Sequence, residues 1–456
     1  MFTIYFGSLL IFVPIYFSYP TLASAHPLLK KYIIDYNLKA LDQSLVDWSY
    51  RGEEGILRIK PEIANSLGMK ALVDQDYLDS KRLFDEADKA IEEAKKAMAL
   101  REKEKFPGYY EQKIANHFLL FKKNRESARG KLMNYRSKLN TVIDERFDKA
   151  VCERMIDRIL VEGFGETDNR LRDGLGYFYN VCQGINEKKF PLTHKNVRFV
   201  NYVFNGFMEN ASEKEINMFD LDQDSNYRST YLSPNWKEAA GTSMLEFDAL
   251  LETAVKKYRD EIYPVDPLLF VALMRKESDF DSLAISRSGA AGLTQIMPMT
   301  AKGMGMKNIF MPEYFYDVKS LIKREREARN QATAVLFQIN EMNKLQYAKQ
   351  ARALMQTSLD LMYKRKRLID RYRKELLERG TDDRLQPDKA IEYGLMYFAK
   401  LLKDTRGDIS LALASYNAGP NRVREFEGIP PYVETVGFRN RILQYYRDYL
   451  SKARDE

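Results

Sequence analysis

RKESDFDSLAISRSGAAGLTQIMP occupies residues 275–298 and decides how the chain is read. It follows an apolar run, DPLLFVALM (266–274), carries one glutamate, Glu277, and passes into a loop of serines and glycines. Asp266 is placed to cap a helix and Pro267 to occupy its first turn. Leu268 to Met274 is apolar on nearly every side, the mark of a buried helix. Glu277 then falls in the last turn. Burial disfavours its charged form, and the negative end of the helix dipole does the same. Both raise its pKa and suit it to general-acid work near neutral pH. Lys276 is its neighbour in sequence but points to another face. On this helix alone, a capping or salt-bridged glutamate is the plainer reading.

The loop after the helix shifts the balance. Ser286, Gly289, Gly292 and Gln295 form a stretch in which glycines admit a ligand close to the backbone and Ser and Gln offer directional hydrogen bonds. Far downstream, ALASYNAGPNRV (412–423) places Tyr416 and Asn417 at a helix end before a Gly-Pro turn, and PPYVETVGF (430–438) adds Tyr432 and Glu434. There is no HExxH or paired Cys-x-x-Cys, and His117 and His194 are isolated, so no metal and no cofactor are expected. Asp220, Asp222 and Asp224 begin like a calcium loop, but Ser225 and Tyr231 stand where Gly and Glu are required, which leaves a turn or capping role.

Taken in order, E-S-x-F-x-x-x-A-x-S-x-x-G-A-x-G-L-x-Q-x-M-P-x-T-A, then A-x-Y-N-A-G-P-x-R-V and Y-V-E-T, strongly resemble the catalytic domain of soluble lytic transglycosylases, which are related in fold to goose-type lysozyme. The resemblance covers about 250–310 and 386–445 and says nothing of 26–250. It implies an exported lyase acting on the carbon–oxygen bond of a polysaccharide, the peptidoglycan glycan strand, at the β-1,4 link after N-acetylmuramic acid. The family's catalytic glutamate falls on Glu277, its loop serine on Ser286, its active-site tyrosine on Tyr416 and its second, non-nucleophilic glutamate on Glu434. Gln295 and Met297 would contact sugar, with Asn417 beside Tyr416. Thr294 stands where the family usually has Met on the groove floor. Glu277 would protonate the bridging oxygen, the substrate's 2-acetamido group or solvation of the oxocarbenium replacing a second carboxylate. It would then take the proton of the sugar's C6 hydroxyl, giving a 1,6-anhydromuramyl end. The alternatives are a hydrolytic muramidase of the same fold and acid, and a wall-binding scaffold with vestigial activity.

The rest of the chain is read around that domain. With 456 residues, 45% apolar and 30% charged, it is globular and long enough for two or three domains. The apolar run Phe2–Tyr19 followed by Ala23-Ser24-Ala25 reads as a signal peptide over 1–25, although no Lys or Arg precedes it. An uncleaved membrane anchor is the competing reading, and both place the protein in the periplasm or cell envelope. Residues 26–250 read as a helical domain of unknown role, with no convincing fixed-period repeat. Cys152 and Cys182 are either one disulfide or two buried thiols, with nothing to choose between them.

The fold expected is mainly α, a lysozyme-like catalytic domain over 251–456 interrupted at 313–385 by a helical insertion. From Glu313 to Arg379 there is no Gly or Pro, and Ala328, Ala332, Val335, Ile339 and Met342 mark a coiled-coil-like seam. A single helix of that length would carry the ends roughly 100 Å apart, so an antiparallel hairpin with its turn between about 340 and 360 is expected. Between Lys319 and Leu385 there are 17 Lys and Arg against 9 Asp and Glu, a surplus of 8 that accounts for the whole net charge of +7. That face suits anionic wall polymer, a membrane surface or an acidic protein, or only solvent. No nucleic acid is expected.

Overall fold

The computed structural model describes residues 26–46, 51–101, 106–187, 189–221 and 236–455. The signal segment and Asp222, Asp224, Ser225 and Tyr231 lie outside them. Among the described residues the fold is helical, with isolated β-bridges only, and no helix is long and apolar enough to cross a membrane.

The first part of the chain contains α1 (Pro27–Val46), α2 (Pro61–Ser66), α3 (Gln75–Ala99), α4 (Tyr109–Ser137), α5 (Lys149–Glu166), α6 (Leu171–Gln183) and α7 (Val197–Asn210), then the short α8 (Glu213–Ile216). The second contains α9 (Trp236–Ala240), α10 (Asp248–Lys257), α11 (Pro267–Ser278), α12 (Pro298–Gly303), α13 (Glu313–Phe337), α14 (Lys344–Arg379), α15 (Pro387–Asp404), α16 (Ile409–Ala418), α17 (Pro420–Glu425) and α18 (Val433–Asp455). Aspartates set several helix starts by accepting from the first-turn backbone: Asp74 for α3, Asp148 for α5, Asp266 for α11 and Asp408 for α16. α11 is sheathed by α10, α15, α16 and α18, and Leu268–Met274 are at most 1% exposed.

Residues 313–379 form two antiparallel helices, α13 and α14, joined by a turn at 338–343. Ala328, Ala332, Leu336 and Ile339 are buried along their contact, while Val335 is half-buried and Met342, expected in the seam, is 95% exposed at the turn.

The two parts of the chain are copies of one fold, a correspondence between 26–250 and the catalytic domain that the sequence reading did not find. Gly52, Gly55, Arg58 and Gly68 have positive φ, and so do Gly289, Gly292, Gln295 and Gly305, each 237 positions later. Glu54 bridges Ile59 as Ala291 bridges Ile296. A β-carbon on Gly55 would strike the Arg146 carbonyl at 2.0 Å, and one on Gly292 the Arg384 carbonyl at 1.7 Å. Arg146 is held by Asp144, Tyr135 and the carbonyls of Gly52 and Ile59. Arg384 is held in the same way by Asp382, Tyr372 and the carbonyls of Gly289 and Ile296. Tyr135 donates to Leu72 O at 2.9 Å and Tyr372 to Phe310 O at 3.2 Å. α3 and α13 are each 25 residues long, α5 and α15 each 18. The hairpin α13–α14 therefore has its counterpart in α3–α4.

The copies embrace through reciprocal contacts. Hairpin meets hairpin where Ala90, Ala94, Phe118, Leu336, Ile339 and Ala348 share one core. At the other end Asn201 Nδ2 donates to Ile429 O at 2.9 Å, and its counterpart Asn440 donates across to Leu192 O at 2.7 Å. Asp173 accepts from Arg439 at 2.9 Å, and Asp408 from Arg172 at 2.6 Å.

Candidate active site

The last turn of α11 emerges from the core at the edge of the Gly-rich loop. Asp266 accepts from Leu268 N at 2.7 Å and from the Tyr446 hydroxyl at 2.6 Å, which anchors the helix start. The other end stops at Asp279 and Phe280, both left-handed at φ 52° and 65°. Ser278 Oγ donates to Leu293 O at 2.9 Å and so ties the helix end to the loop. Glu277 sits at this junction.

Its carboxyl group is pushed up to about 8, chiefly by burial, with the Glu434 carboxylate adding to the rise and the Lys276 ammonium opposing it. Glu277 is thus a protonated acid at neutral pH. Glu434 stands in the first turn of α18. Tyr416, at the end of α16, feels burial first and the Glu277 carboxyl next, both holding its hydroxyl protonated well above the usual phenol range. That hydroxyl donates to Thr294 O at 2.7 Å. Glu277, Tyr416 and Glu434, far apart in sequence, are thereby brought together.

Other residues singled out in the sequence serve the loop itself. Ser286 Oγ accepts from Ala290 N at 2.9 Å and from Ser288 N at 3.3 Å. Gln295 Nε2 donates to the carbonyls of Ala284 and Gly292, both at 2.9 Å. Met297 is half-buried against the cluster of Phe315 and Tyr372 at the hairpin base. Asn417 accepts from Thr435 Oγ1 at 2.7 Å, joining α16 to α18. Thr294 does not line a groove floor: it is 1% exposed, its hydroxyl donates to Ala390 O at 3.0 Å, and it fills the space beside Gly394. Cys152 and Cys182 are free buried thiols in the core of the first copy, not a disulfide. Burial pushes Cys152 up to about 12, and its Sγ donates to Arg146 O at 3.4 Å.

The residue that the sequence reading passed over is Arg384. It is fully buried at the foot of the hairpin and holds Gly289 O at 3.0 Å and Ile296 O at 3.3 Å, the two ends of the Gly-rich turn. Asp382, at 2.8 Å, neutralises it. The D-x-R spacing before a helix-starting Pro was the available signal, since a buried Arg requires an adjacent carboxylate and carbonyl acceptors.

The site thus combines a glutamate at a helix end whose pKa burial raises, a glycine-opened loop beside it, and a tyrosine from a later helix. A transglycosylase SLT domain matches residues 255–324 and 328–431. Those residues carry a transglycosylase SLT domain, and the protein is a peptidoglycan lytic transglycosylase. The chain is also similar to the 70 kDa soluble lytic transglycosylase of Escherichia coli, at 14% identity over 93% of this chain and 72% of that one, with a TM-score of 0.28. A likeness that slight carries no weight for the fold.

Proposed function

We propose that Glu277 alone supplies both proton transfers of a non-hydrolytic cleavage of the bond between N-acetylmuramic acid and N-acetylglucosamine. The observation that carries this reading is the carboxyl group pushed up to about 8 beside Tyr416 and Glu434. Protonated, Glu277 donates to the bridging oxygen as the C1–O bond breaks. The positive charge that grows at the sugar ring is met by the acetamido group of the substrate. Glu277, now ionised in a desolvated site, is a strong base. It takes the proton of the C6 hydroxyl as that oxygen bonds to C1, which closes the 1,6-anhydro ring and restores the acid without consuming water. Tyr416 fixes the loop against Glu277, and Glu434 keeps the acid form populated. Ser286, Gln295, Met297 and Asn417 shape the loop that receives the sugar. The leader ending in Ala23-Ser24-Ala25 supports export to the cell envelope, where the substrate lies.

The test is digestion of purified peptidoglycan sacculi by wild type and Glu277→Gln, with products read by mass spectrometry. Wild type should release 1,6-anhydromuramyl ends, and Glu277→Gln should lose roughly a thousandfold or more in rate, the general-acid contribution at its upper range. Reducing ends in place of anhydro ends would make the enzyme a hydrolase. Undiminished digestion by Glu277→Gln would remove the residue from the reaction.

A further inference from the structure

The first copy keeps a counterpart of the cleft but not its acid. His26-Pro27-Leu28-Leu29 opens α1 as Asp266-Pro267-Leu268-Leu269 opens α11, and eleven residues after His26 and Asp266 stand Asn37 and Glu277. An amide cannot serve as the general acid. Phe178 stacks on Phe199 at 5.9 Å as Tyr416 stacks on Phe438 at 6.5 Å, so the hydroxyl of the catalytic half is missing too. Arg58, left-handed at φ 47°, stands in the place of Gln295.

A copy kept only as scaffold would fill this place with apolar side chains. Instead the polar Asn37 stands there, only 8% exposed. Arg58 Nε is buried with no partner among the described residues. Tyr36 and Tyr179 remain half-exposed, both packed edgewise or tilted on Phe199 and both within electrostatic reach of Arg58. A buried polar group without a partner, as Arg58 Nε is, costs about 1–3 kcal/mol, a cost that a partner from outside would offset. Aromatic faces with a few convergent amide and guanidinium donors suit pyranose rings carrying acetamido groups.

We propose that the first copy is a catalytically silent glycan-binding unit, whose Asn37, Arg58, Tyr36 and Tyr179 hold an N-acetylated β-1,4-linked strand while the second copy cuts. The ligand class rests on the proposed reading of the Glu277 site, while the existence of a second site does not. Tyrosine faces stack on the sugar rings, the Asn37 amide pairs with an acetamido group, and Arg58 donates to acetamido carbonyl or lactyl carboxylate oxygens. Because nothing is broken there, the strand stays held between catalytic events.

The experiment uses the full chain carrying Glu277→Gln, so that no strand is cut. Calorimetric titration with the β-1,4-linked N-acetylglucosamine hexamer should count two sites per chain, and one when Arg58→Ala is added. Hydrogen exchange on the Glu277→Gln parent should show ligand protection around residues 36–37 and 58, a readout independent of how any first-copy variant folds. Retention on purified sacculi should fall at least fivefold with Arg58→Ala or Tyr36→Ala, while turnover of short soluble strands by the same substitutions in the active enzyme stays unchanged. One site per chain with no protection near Asn37 would overturn the proposal. If only the Glu277 assignment failed, Glu277→Gln would still digest sacculi, yet the count of two and the protection at Asn37 would remain.

Discussion

On the proposed reading, Glu277 connects pH to both rate and stability. Its folded pKa, near 8, lies above its ordinary value of 4.5. The native state therefore holds a proton that the unfolded chain releases between those values. The stabilising contribution is complete below about 4.5 and is lost as pH rises through about 8. Each tenfold change in proton affinity is worth about 1.4 kcal/mol, so Glu277→Gln, which never ionises, should gain several kcal/mol relative to wild type as pH rises across that window, a crossing that urea denaturation at pH 5 and pH 9 would detect. The alkaline limb of kcat should have its midpoint near 8, where the acid form is lost. Removing the neighbouring carboxylate with Glu434→Gln should move that limb downward, and Lys276→Met should move it upward, each by up to about one pH unit. Limbs displaced the other way, or not at all, would mean that another group titrates in the reaction.

The helix that carries Glu277 was legible because three local signals agree: an Asp cap, a Pro in the first turn and an apolar run on every side. The loop was legible because its glycines are required, as at Gly292, where any side chain would collide with the Arg384 carbonyl. The partners of the loop were not legible. Arg384 and Tyr372 reach it from the end of α14 and the turn after it, so only packing reveals that the hairpin is keyed to the Gly-rich turn. Arg384→Met should strand the buried Asp382 charge and lower stability by about 3–5 kcal/mol, with activity falling as Gly289 and Ile296 lose their anchor. Arg146→Met should cost a similar amount in thermal melts and leave the Glu277 pH profile in place, because its Gly52–Ile59 turn belongs to the other copy. If both substitutions changed that profile equally, the two turns would not be separate.

Across the whole molecule, the duplication escaped the sequence reading because its register drifts. The offset is 240 at the first helices, 237 at the glycine turns and 238 at the Asp-x-Arg turns, and α14 has 36 residues where α4 has 29. What the copies share is mostly backbone geometry and buried polar keys, which tolerate change in the side chains around them. Their junction is itself partly ionic and buried: Asp173 and Arg439 are 5% and 2% exposed, with Arg170 on the other side of the carboxylate. Burial acts to raise the Asp173 pKa, but Arg439 and Arg170 outweigh it and hold the group well below the usual carboxylate range. A depressed pKa contributes stability above the unfolded value of about 3.9, and that contribution is lost as pH falls below it through the folded value. The first core also runs across the junction, taking Ala414, Val423, Ile429 and Val436 from the second copy, so the halves should melt together. Asp173→Asn leaves Arg439 buried without its counter-charge, a loss of about 3–5 kcal/mol for a broken buried pair. Differential scanning calorimetry at neutral pH should show one transition for wild type. The variant should give a lower transition or two separated ones, together with a flatter dependence of melting temperature on pH below about 4. A variant that melts like wild type at neutral pH would show that the apolar contacts alone hold the copies together.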